Sequence, residues 1–280
     1  MRLADLAPTG RAAVMGILNV TEDSFSDGGK WLAVDDALAH ARELVAEGAD
    51  IIDVGGESTR PGATRVPADV EAKRVVPVIR ALTEEGIVTS VDTMRSTTAA
   101  AAAEAGAAMI NDVSGGLADP DMFQVMAQAQ VPVCLMHWRV PEGRGYGEAS
   151  GVADHGGDVV SDVAGLLSEL SGRAIDAGVE GSNILIDPGL GFAKSAEENW
   201  QILRGLPSLI DGDFPLLVGV SRKRFLTQIR ADRGVAADAD PATHAVSALA
   251  AHLGAWGVRV HDVAATRDAV DVASLWKGMN

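Results

Sequence analysis

The sequence is poor in cysteine, aromatic residues and positive charge, and each shortage excludes a class of protein. Its 280 residues include one cysteine, Cys134, which rules out an internal disulfide framework and suits a reducing compartment. Aromatic residues make up only 4%, so aliphatic side chains must fill the core. The net charge of −16, from 39 acidic and 23 basic residues, argues against nucleic acid or an anionic membrane as a partner.

Long apolar segments are also missing. No run approaches the roughly 18 consecutive apolar residues that a membrane-spanning helix needs. Asp5 interrupts the place where a signal peptide would be apolar. Hydrophobic residues still amount to 47%, a value typical of globular chains. We therefore expect a soluble, cytoplasmic protein in which residues 1–280 form a single domain.

One pattern recurs along the chain: an Ala-rich helical segment, a glycine, and a short apolar run that ends in a polar residue. Glycine at a helix end supplies the left-handed conformation that stops the helix. A short apolar run without alternation is typical of a strand covered on both faces. The repetition therefore indicates βα units around a parallel sheet. The four clearest copies are 41–55, 101–115, 174–189 and 248–263.

Eight such apolar runs can be counted, with helical patterns between them. Eight strands and their helices in about 250 residues predict a closed (β/α)8 barrel, the TIM barrel. The alternative is an open doubly wound sheet, but no Gly-rich phosphate loop follows the first strand. The predicted strands are 13–18, 51–54, 87–91, 108–113, 131–136, 184–186, 216–220 and 257–260. Helical patterns include 35–47, 67–85, 95–105, 158–177 and 242–253.

Polar residues end every predicted strand, at the rim where barrels of this type hold their active sites. Three long loops, 20–34, 55–66 and 139–157, follow strands at the same rim. All three are placed to act as lids, and the third, which is Gly-rich and charged, is interpreted as a surface insertion. The strand ends are Asn19, Glu57 to Thr59, Asp92, Asn111 with Asp112, His137, Asp187, Ser221 to Lys223, and Arg259 with His261.

One group of strand ends is acidic and amide-bearing: Asp92, Asn111 and Asp187. Buried carboxylates need partners, and an ionised carboxylate can accept two parallel hydrogen bonds. A heterocycle with an amino group beside a ring N–H would provide them. A Mg²⁺ ion held by three oxygen ligands is one alternative, and capping of the following helix, for Asp92 above all, is another.

The second group is basic. Arg222, Lys223 and Arg224 open a predicted helix over 222–230, where the helix dipole disfavours cations. Arg259 and His261 end the neighbouring strand, so a phosphate or carboxylate pocket is expected between them. His137 is a weaker candidate, the other histidines are interpreted as structural or solvent-facing, and Cys134 as an inert core thiol.

At these positions the chain resembles the dihydropteroate synthase family, and in overall style its actinobacterial members. The resemblance implies a (β/α)8 barrel that condenses 6-hydroxymethyl-7,8-dihydropterin pyrophosphate with 4-aminobenzoate, requires Mg²⁺, forms homodimers and is a target of sulfonamides. The segments that carry it are Met15–Thr21, Asp23–Gly29, Asp53–Gly62, Ser90–Thr93, Asn111–Gly116, Leu135–His137, Asp187–Phe192, Ser221–Lys223 and Arg259–His261.

The resemblance also assigns the site residues. It places Asn19 at the metal, and Asp27, Lys223, Arg259 and His261 in catalysis. The expected pterin and diphosphate contacts are Thr59, Asp92, Asn111, Met136, Asp187, Phe192, Lys223, Arg259 and His261. The expected 4-aminobenzoate contacts are Phe25, Thr59, Arg60, Pro61, Phe192 and Ser221.

The family reaction suggests a dissociative, SN1-like route, because the electron-rich dihydropterin can stabilise a cation once pyrophosphate leaves. Asp27 in the first lid is the candidate to stabilise that cation and to orient the amine. Two alternatives stay open: a non-catalytic paralogue, and a pterin-binding methyltransferase that uses a reduced folate and a corrinoid partner. Ser221-Arg222-Lys223 and the first-lid sequence argue against the methyltransferase, and the two intact lid sequences argue against the paralogue.

Overall fold

The computed structural model describes residues 1–21, 30–57, 66–140, 152–236 and 238–278. Eight short strands alternate with helices along these ranges. The strands are β1 Ala13–Asn19, β2 Ile51–Gly55, β3 Thr89–Asp92, β4 Met109–Asp112, β5 Val133–Met136, β6 Ile184–Asp187, β7 Leu217–Val218 and β8 Gly257–Val260. The helices are α1 Leu3–Leu6, α2 Lys30–Ala46, α3 Ala68–Glu84, α4 Ser96–Glu104, α5 Met122–Ala129, α6 Val159–Ala177, α7 Ala196–Ile210, α8 Arg224–Ala231, α9 Asp240–Leu253 and α10 Val263–Lys277, with a 3-10 turn at Gly181–Asn183.

All eight strands are parallel and form one sheet in the order β6-β5-β4-β3-β2-β1-β8-β7. The two outer strands meet as well, because Ile186 forms a parallel bridge with Leu216 and its N–H donates to the Pro215 carbonyl at 3.0 Å. The sheet therefore closes on itself. The predicted (β/α)8 barrel is confirmed.

The barrel has two apolar layers. The larger fills the space between the strands and the surrounding helices, and includes Val54, Val91 and Leu135. The smaller fills the inside of the barrel, where Met15, Met109 and Cys134 pack with Leu3 and Leu6 of α1. Burial raises the pKa of the Cys134 thiol well above its ordinary value, with Asp187 and Asp53 adding to the effect. The interpretation of Cys134 as an inert core thiol agrees with this environment.

Several boundaries differ from the predicted ones. The seventh strand is reduced to Leu217–Val218, where 216–220 was expected, because Leu216 forms only an isolated bridge and the strand pairing ends before Gly219. Helix α7, which follows β6, begins with a capping box formed by Ser195 and Glu198. None of the helices in the described ranges has an apolar stretch of the length that a bilayer crossing requires.

Candidate active site

The register of the strands brings the predicted polar ends to one level of the rim. Asn19 of β1 lies beside Gly55, Gly55 beside Asp92, and Asp92 beside Asn111. Asp92 does not cap α4, because Asp119 accepts the N–H of Ser96 at its start. Asp92 and Asn111 are buried. Their side chains are therefore buried side by side where two neighbouring strands end.

Arg259 crosses the barrel and joins two carboxylates. Its Nε donates to Asp53 Oδ2 and its Nη2 to Asp92 Oδ2, both at 2.6 Å. The Asn111 amide donates to the same oxygen of Asp53 at 3.0 Å. The sequence left open that Asp92, Asn111 and Asp187 hold a Mg²⁺ ion. The guanidinium of Arg259 already binds Asp92, so these residues are not arranged as an oxygen-only metal site.

The carboxylates of this cluster are deeply buried, and burial changes their acidity. Burial raises the pKa of Asp92 to about 7, against the lowering effect of Arg259. Burial also opposes the charge of Arg259, but Asp53 and Asp92 outweigh it and raise the Arg259 pKa. Perturbed acidity of this kind is typical of functional sites.

Two oxygens of the cluster are left without a hydrogen bond within the described chain. Asp53 Oδ1 and Asp92 Oδ1 are buried, and neither accepts from a described residue. A buried acceptor without a donor is costly, at about 1–3 kcal/mol. The pair of oxygens on Asp92 can therefore hold Arg259 with one and receive a ligand N–H with the other.

Asp187 lies across the rim and is also buried, which raises its pKa. Its Oδ1 accepts the N–H of Gly189 at 2.7 Å, as a turn requires. Its Oδ2 lies only 3.2 Å from the position that a Cβ on Gly219 would occupy. The glycine therefore leaves room for the carboxylate beside β7.

An apolar wall lies beside these carboxylates, because Met136 of β5 is the register partner of Asp187. Met136 packs with Met94, Val113 and Trp138, and the partly buried Phe192 lies against them. The rings of Trp138 and Phe192 are 5.0 Å apart. Lys223 places its ammonium 3.9 Å from the centre of the Phe192 ring, an arrangement suited to a cation–π interaction. The site thus combines a flat apolar surface with polar groups at its edge.

The predicted basic group is divided. Ser221 and His261 are bonded to each other, with Ser221 Oγ 2.9 Å from His261 Nδ1. Arg222 instead turns to Asp240 of α9, with contacts of 2.8 and 2.9 Å. Among the consecutive cations that suggested an anion pocket, Arg222 is therefore already neutralised by a carboxylate on the next helix.

His137 points away from the acidic cluster. It is fully buried, with Nε2 3.1 Å from Asp162 of α6 and Nδ1 2.9 Å from the ammonium of Lys194. Two histidines and a carboxylate in the described part of the chain, His137, His155 and Asp162, lie close enough for a metal. Arg139 and Lys194 put two cations against that group, so its chemistry is that of a hydrogen-bond network.

Sequence reasoning missed two residues of this region. Asp53 was not predicted as a site residue, because its position in mid-strand hides that its side chain faces the barrel interior. Lys194 was not considered, because nothing in the local sequence after Phe192 indicates that its side chain turns inward. Asp112, by contrast, accepts hydrogen bonds from Ser114 and Gly116, so it holds the turn after β4. Phe25, Asp27, Thr59, Arg60 and Pro61 lie outside the described residues.

A comparison with known proteins agrees with this site. The model of the family described as pterin binding enzyme matches residues 15–261. The chain belongs to this family of enzymes. It is 49% identical over 267 residues to the dihydropteroate synthase of Mycobacterium leprae, a match that covers 94% of the chain and 93% of that protein.

Solved structures give the same result. The dihydropteroate synthase of Xanthomonas albilineans with 4-aminobenzoic acid is 43% identical, with a TM-score of 0.83 over 96% of the chain and 94% of that structure. The same enzyme in complex with 7,8-dihydropteroate is 40% identical, also with a TM-score of 0.83, over 96% and 95% of the two chains. By sequence and by fold, this pterin-binding family member groups with the dihydropteroate synthases, which are transferases.

Proposed function

We propose that this protein condenses 6-hydroxymethyl-7,8-dihydropterin pyrophosphate with 4-aminobenzoate, yielding 7,8-dihydropteroate and pyrophosphate. The observation that carries the proposal is the meeting at one rim of two chemistries: the buried set Asp92, Asn111 and Asp187, and the basic residues Lys223, Arg259 and His261. The names of the relatives point to the same reaction.

The pterin would bind against the apolar wall. Its flat ring fits beside Met136 and Phe192, and its amino and ring N–H groups would donate to carboxylates at the edge. Asp92 Oδ1, buried and without a partner among the described residues, is suited to accept one of them. Asp187, Asn111 and Lys223 complete the polar edge, so that burial of the ring and directed hydrogen bonds both contribute to affinity.

The diphosphate would lie on the basic side, near His261 and Arg259. The Ser221 oxygen accepts the His261 backbone N–H at 3.1 Å, and its own proton can then go to Nδ1. This leaves the imidazole N–H on Nε2, where it can donate to the departing anion. Donors fixed before the reaction stabilise charge as it develops, which is how they lower the barrier.

Magnesium is the cofactor that we propose for this step, and Asn19 is its proposed protein ligand. Asn19 Oδ1 and Asp92 Oδ2 lie 3.9 and 3.8 Å from the position of a Cβ on Gly55, so oxygen atoms face the rim there. Mg²⁺ takes few protein ligands when it also binds phosphates, which one amide oxygen satisfies. When bound, it would neutralise charge on the leaving diphosphate.

The route we propose is dissociative. The bond from the methylene carbon to the diphosphate oxygen breaks with both electrons on oxygen, and the aniline nitrogen then attacks the carbon and loses a proton. Asp27 is proposed to stabilise the intermediate cation and to orient the amine. Phe25, Thr59, Arg60 and Pro61, with Phe192 and Ser221, are the proposed aminobenzoate contacts.

The decisive experiment is pyrophosphate release from the pterin substrate, with and without 4-aminobenzoate and Mg²⁺. We expect release that requires both. Pterin binding without release would instead favour the non-catalytic paralogue, and transfer of a methyl group from a reduced folate would favour the methyltransferase.

A homodimer is proposed on the basis of one apolar surface. Helices α9 and α10 pack side by side. Together they expose Leu249, Leu253, Val272, Leu275 and Trp276, with Trp276 82% exposed. Several exposed apolar side chains on two adjacent helices are typical of protein interfaces, and a second copy of the chain is the partner that the family resemblance suggests.

A further inference from the structure

The loop between β6 and α7, residues 188–195, is held from inside by a buried lysine. Lys194 is only 8% exposed. Its ammonium lies 2.9 Å from His137 Nδ1, 2.9 Å from the Gly189 carbonyl oxygen and 3.2 Å from the Phe192 carbonyl oxygen. A protonated lysine has three N–H donors, which match these three near acceptors, and the His137 carbonyl oxygen is a fourth, more distant acceptor at 3.5 Å. Two of the loop carbonyls, those of Gly189 and Phe192, thus accept from this one side chain.

The acceptor on His137 is itself fixed by a second set of bonds. Asp162 lies 3.1 Å from His137 Nε2 and is paired with Arg139 at 2.5 Å. An ionised carboxylate paired with arginine can only accept a hydrogen bond, so His137 carries its N–H on Nε2 and presents the Nδ1 lone pair to Lys194. Burial, followed by the charge of Lys194, lowers the pKa of His137 to about 3, which keeps the ring neutral.

The loop that Lys194 holds carries parts of the pterin site. Gly189 donates its N–H to Asp187, and Phe192 presents its ring to Lys223. The loop is packed tightly on both sides. A Cβ on Gly189 would approach the His137 carbonyl oxygen to 1.9 Å, and one on Gly191 would approach Lys223 Cδ to 2.6 Å. Small movements of this loop would therefore displace Asp187 and Phe192.

We propose that Lys194 is a positioning residue for the pterin site: its ammonium, held by His137, sets loop 188–193 so that Asp187 and Phe192 face the ligand. This inference rests on the proposed function for its substrate. The contacts between Lys194 and the loop are independent of the proposed function, because they can be measured without catalysis.

The arrangement gives the loop a dependence on pH. The charged or titratable groups that face Lys194 are Asp187 of β6, Lys223 before α8, Asp162 of α6, Glu198 of α7 and neutral His137. Burial lowers the pKa of Lys194 to about 7, with Asp187 acting in the opposite direction. Above that pH the neutral amine of Lys194 has two N–H donors for its three near acceptors. One of its hydrogen bonds to His137 or to the loop carbonyls is therefore lost.

The first test compares Lys194→Met with Lys73→Met, a control on an exposed lysine of α3. Binding of the dihydropterin pyrophosphate is measured by calorimetry from pH 6 to 8.5, after thermal unfolding has shown that both variants fold. We expect about tenfold weaker binding for Lys194→Met at pH 6, and a wild-type decline above pH 7 that Lys194→Met lacks. Equal affinity of wild type and Lys194→Met at pH 6 would overturn the proposal.

The second measurement needs no variant and no catalysis. Amide hydrogen exchange of a peptide covering 188–193 is followed in the wild-type protein at pH 6 and pH 8.5, corrected for the intrinsic pH dependence of exchange. We expect protection of this segment to fall severalfold at the higher pH, while peptides from β1 and β2 keep theirs. Unchanged protection in the loop would contradict the proposal even if the synthase activity were established.

Discussion

Ser221 and His261 are joined by two contacts, 2.9 Å from the Ser221 oxygen to Nδ1 of the imidazole and 3.1 Å to the backbone nitrogen. The pair connects the end of β7 to the end of β8. A single hydroxyl thus fixes both the position of the histidine and, through its proton, the nitrogen that faces the substrate.

Replacing Ser221 by alanine should therefore weaken catalysis more than folding. Without the hydroxyl, His261 can adopt the other tautomer and rotate, so we expect kcat for pyrophosphate release to fall about 10- to 100-fold. Ser208→Ala, at an exposed position of α7, is the control. A Ser221→Ala enzyme with unchanged kcat would show that the contact is only structural.

Asp92 should make pterin binding sensitive to acid. Its pKa is raised to about 7 by burial, so below that pH the carboxyl is protonated and one acceptor oxygen is lost. We expect the association constant, measured by calorimetry, to fall as the pH drops from 7 to 5. In Asp92→Asn the acid decline should disappear, although overall affinity is lower. A decline that persists in the variant would assign it to another group.

Asp187→Asn should weaken pterin binding by about 1.5–3 kcal/mol, the value of hydrogen bonds to a charged acceptor. The amide oxygen can still accept from Gly189, so the turn should survive, and only the ligand side changes. Asp211→Asn, at the exposed end of α7, is the matched control. Unchanged affinity by calorimetry would remove Asp187 from the site.

Two glycine-to-alanine substitutions should have different effects, one on pterin affinity and the other on the stability of the fold. A methyl group on Gly219 would lie 3.2 Å from the Asp187 carboxylate, so pterin binding should weaken severalfold. Gly165 lies in α6 with no atom near its Cβ position, so alanine there should stabilise the fold by about 0.5–1 kcal/mol. Urea unfolding and calorimetry on both variants separate the two effects, and normal pterin affinity in Gly219→Ala would show that the carboxylate has room to move.

The apolar surface of α9 and α10 predicts the assembly state. The double substitution Leu275→Asp with Trp276→Asp puts charges on two exposed side chains and should convert a dimer to a monomer in sedimentation velocity. Ile175→Asp, on the exposed face of α6, should leave the assembly unchanged. A wild-type protein that sediments as a monomer at high concentration would refute the proposed homodimer.

Much of the site could be predicted from the chain because strand ends are a local signal. Asp92, Asn111 and Asp187 each follow an apolar run, and in a parallel barrel all such ends meet at one rim. The division of the basic residues could not be predicted in this way. Arg222 and Lys223 are neighbours in sequence, yet only the position of α9 decides that Arg222 pairs with Asp240.

By itself the sequence determined the barrel, its eight strands and the acidic and basic character of its rim. Those properties follow from apolar periodicity, helix-ending glycines and the residue that ends each strand. The closure of the barrel decided which of these side chains bind one another. Arg259 reaches Asp53 across 206 residues of chain, and Lys194 reaches His137 across 57. Such pairs depend on which face of each strand turns inward and on how the loops pack, and no local pattern specifies either.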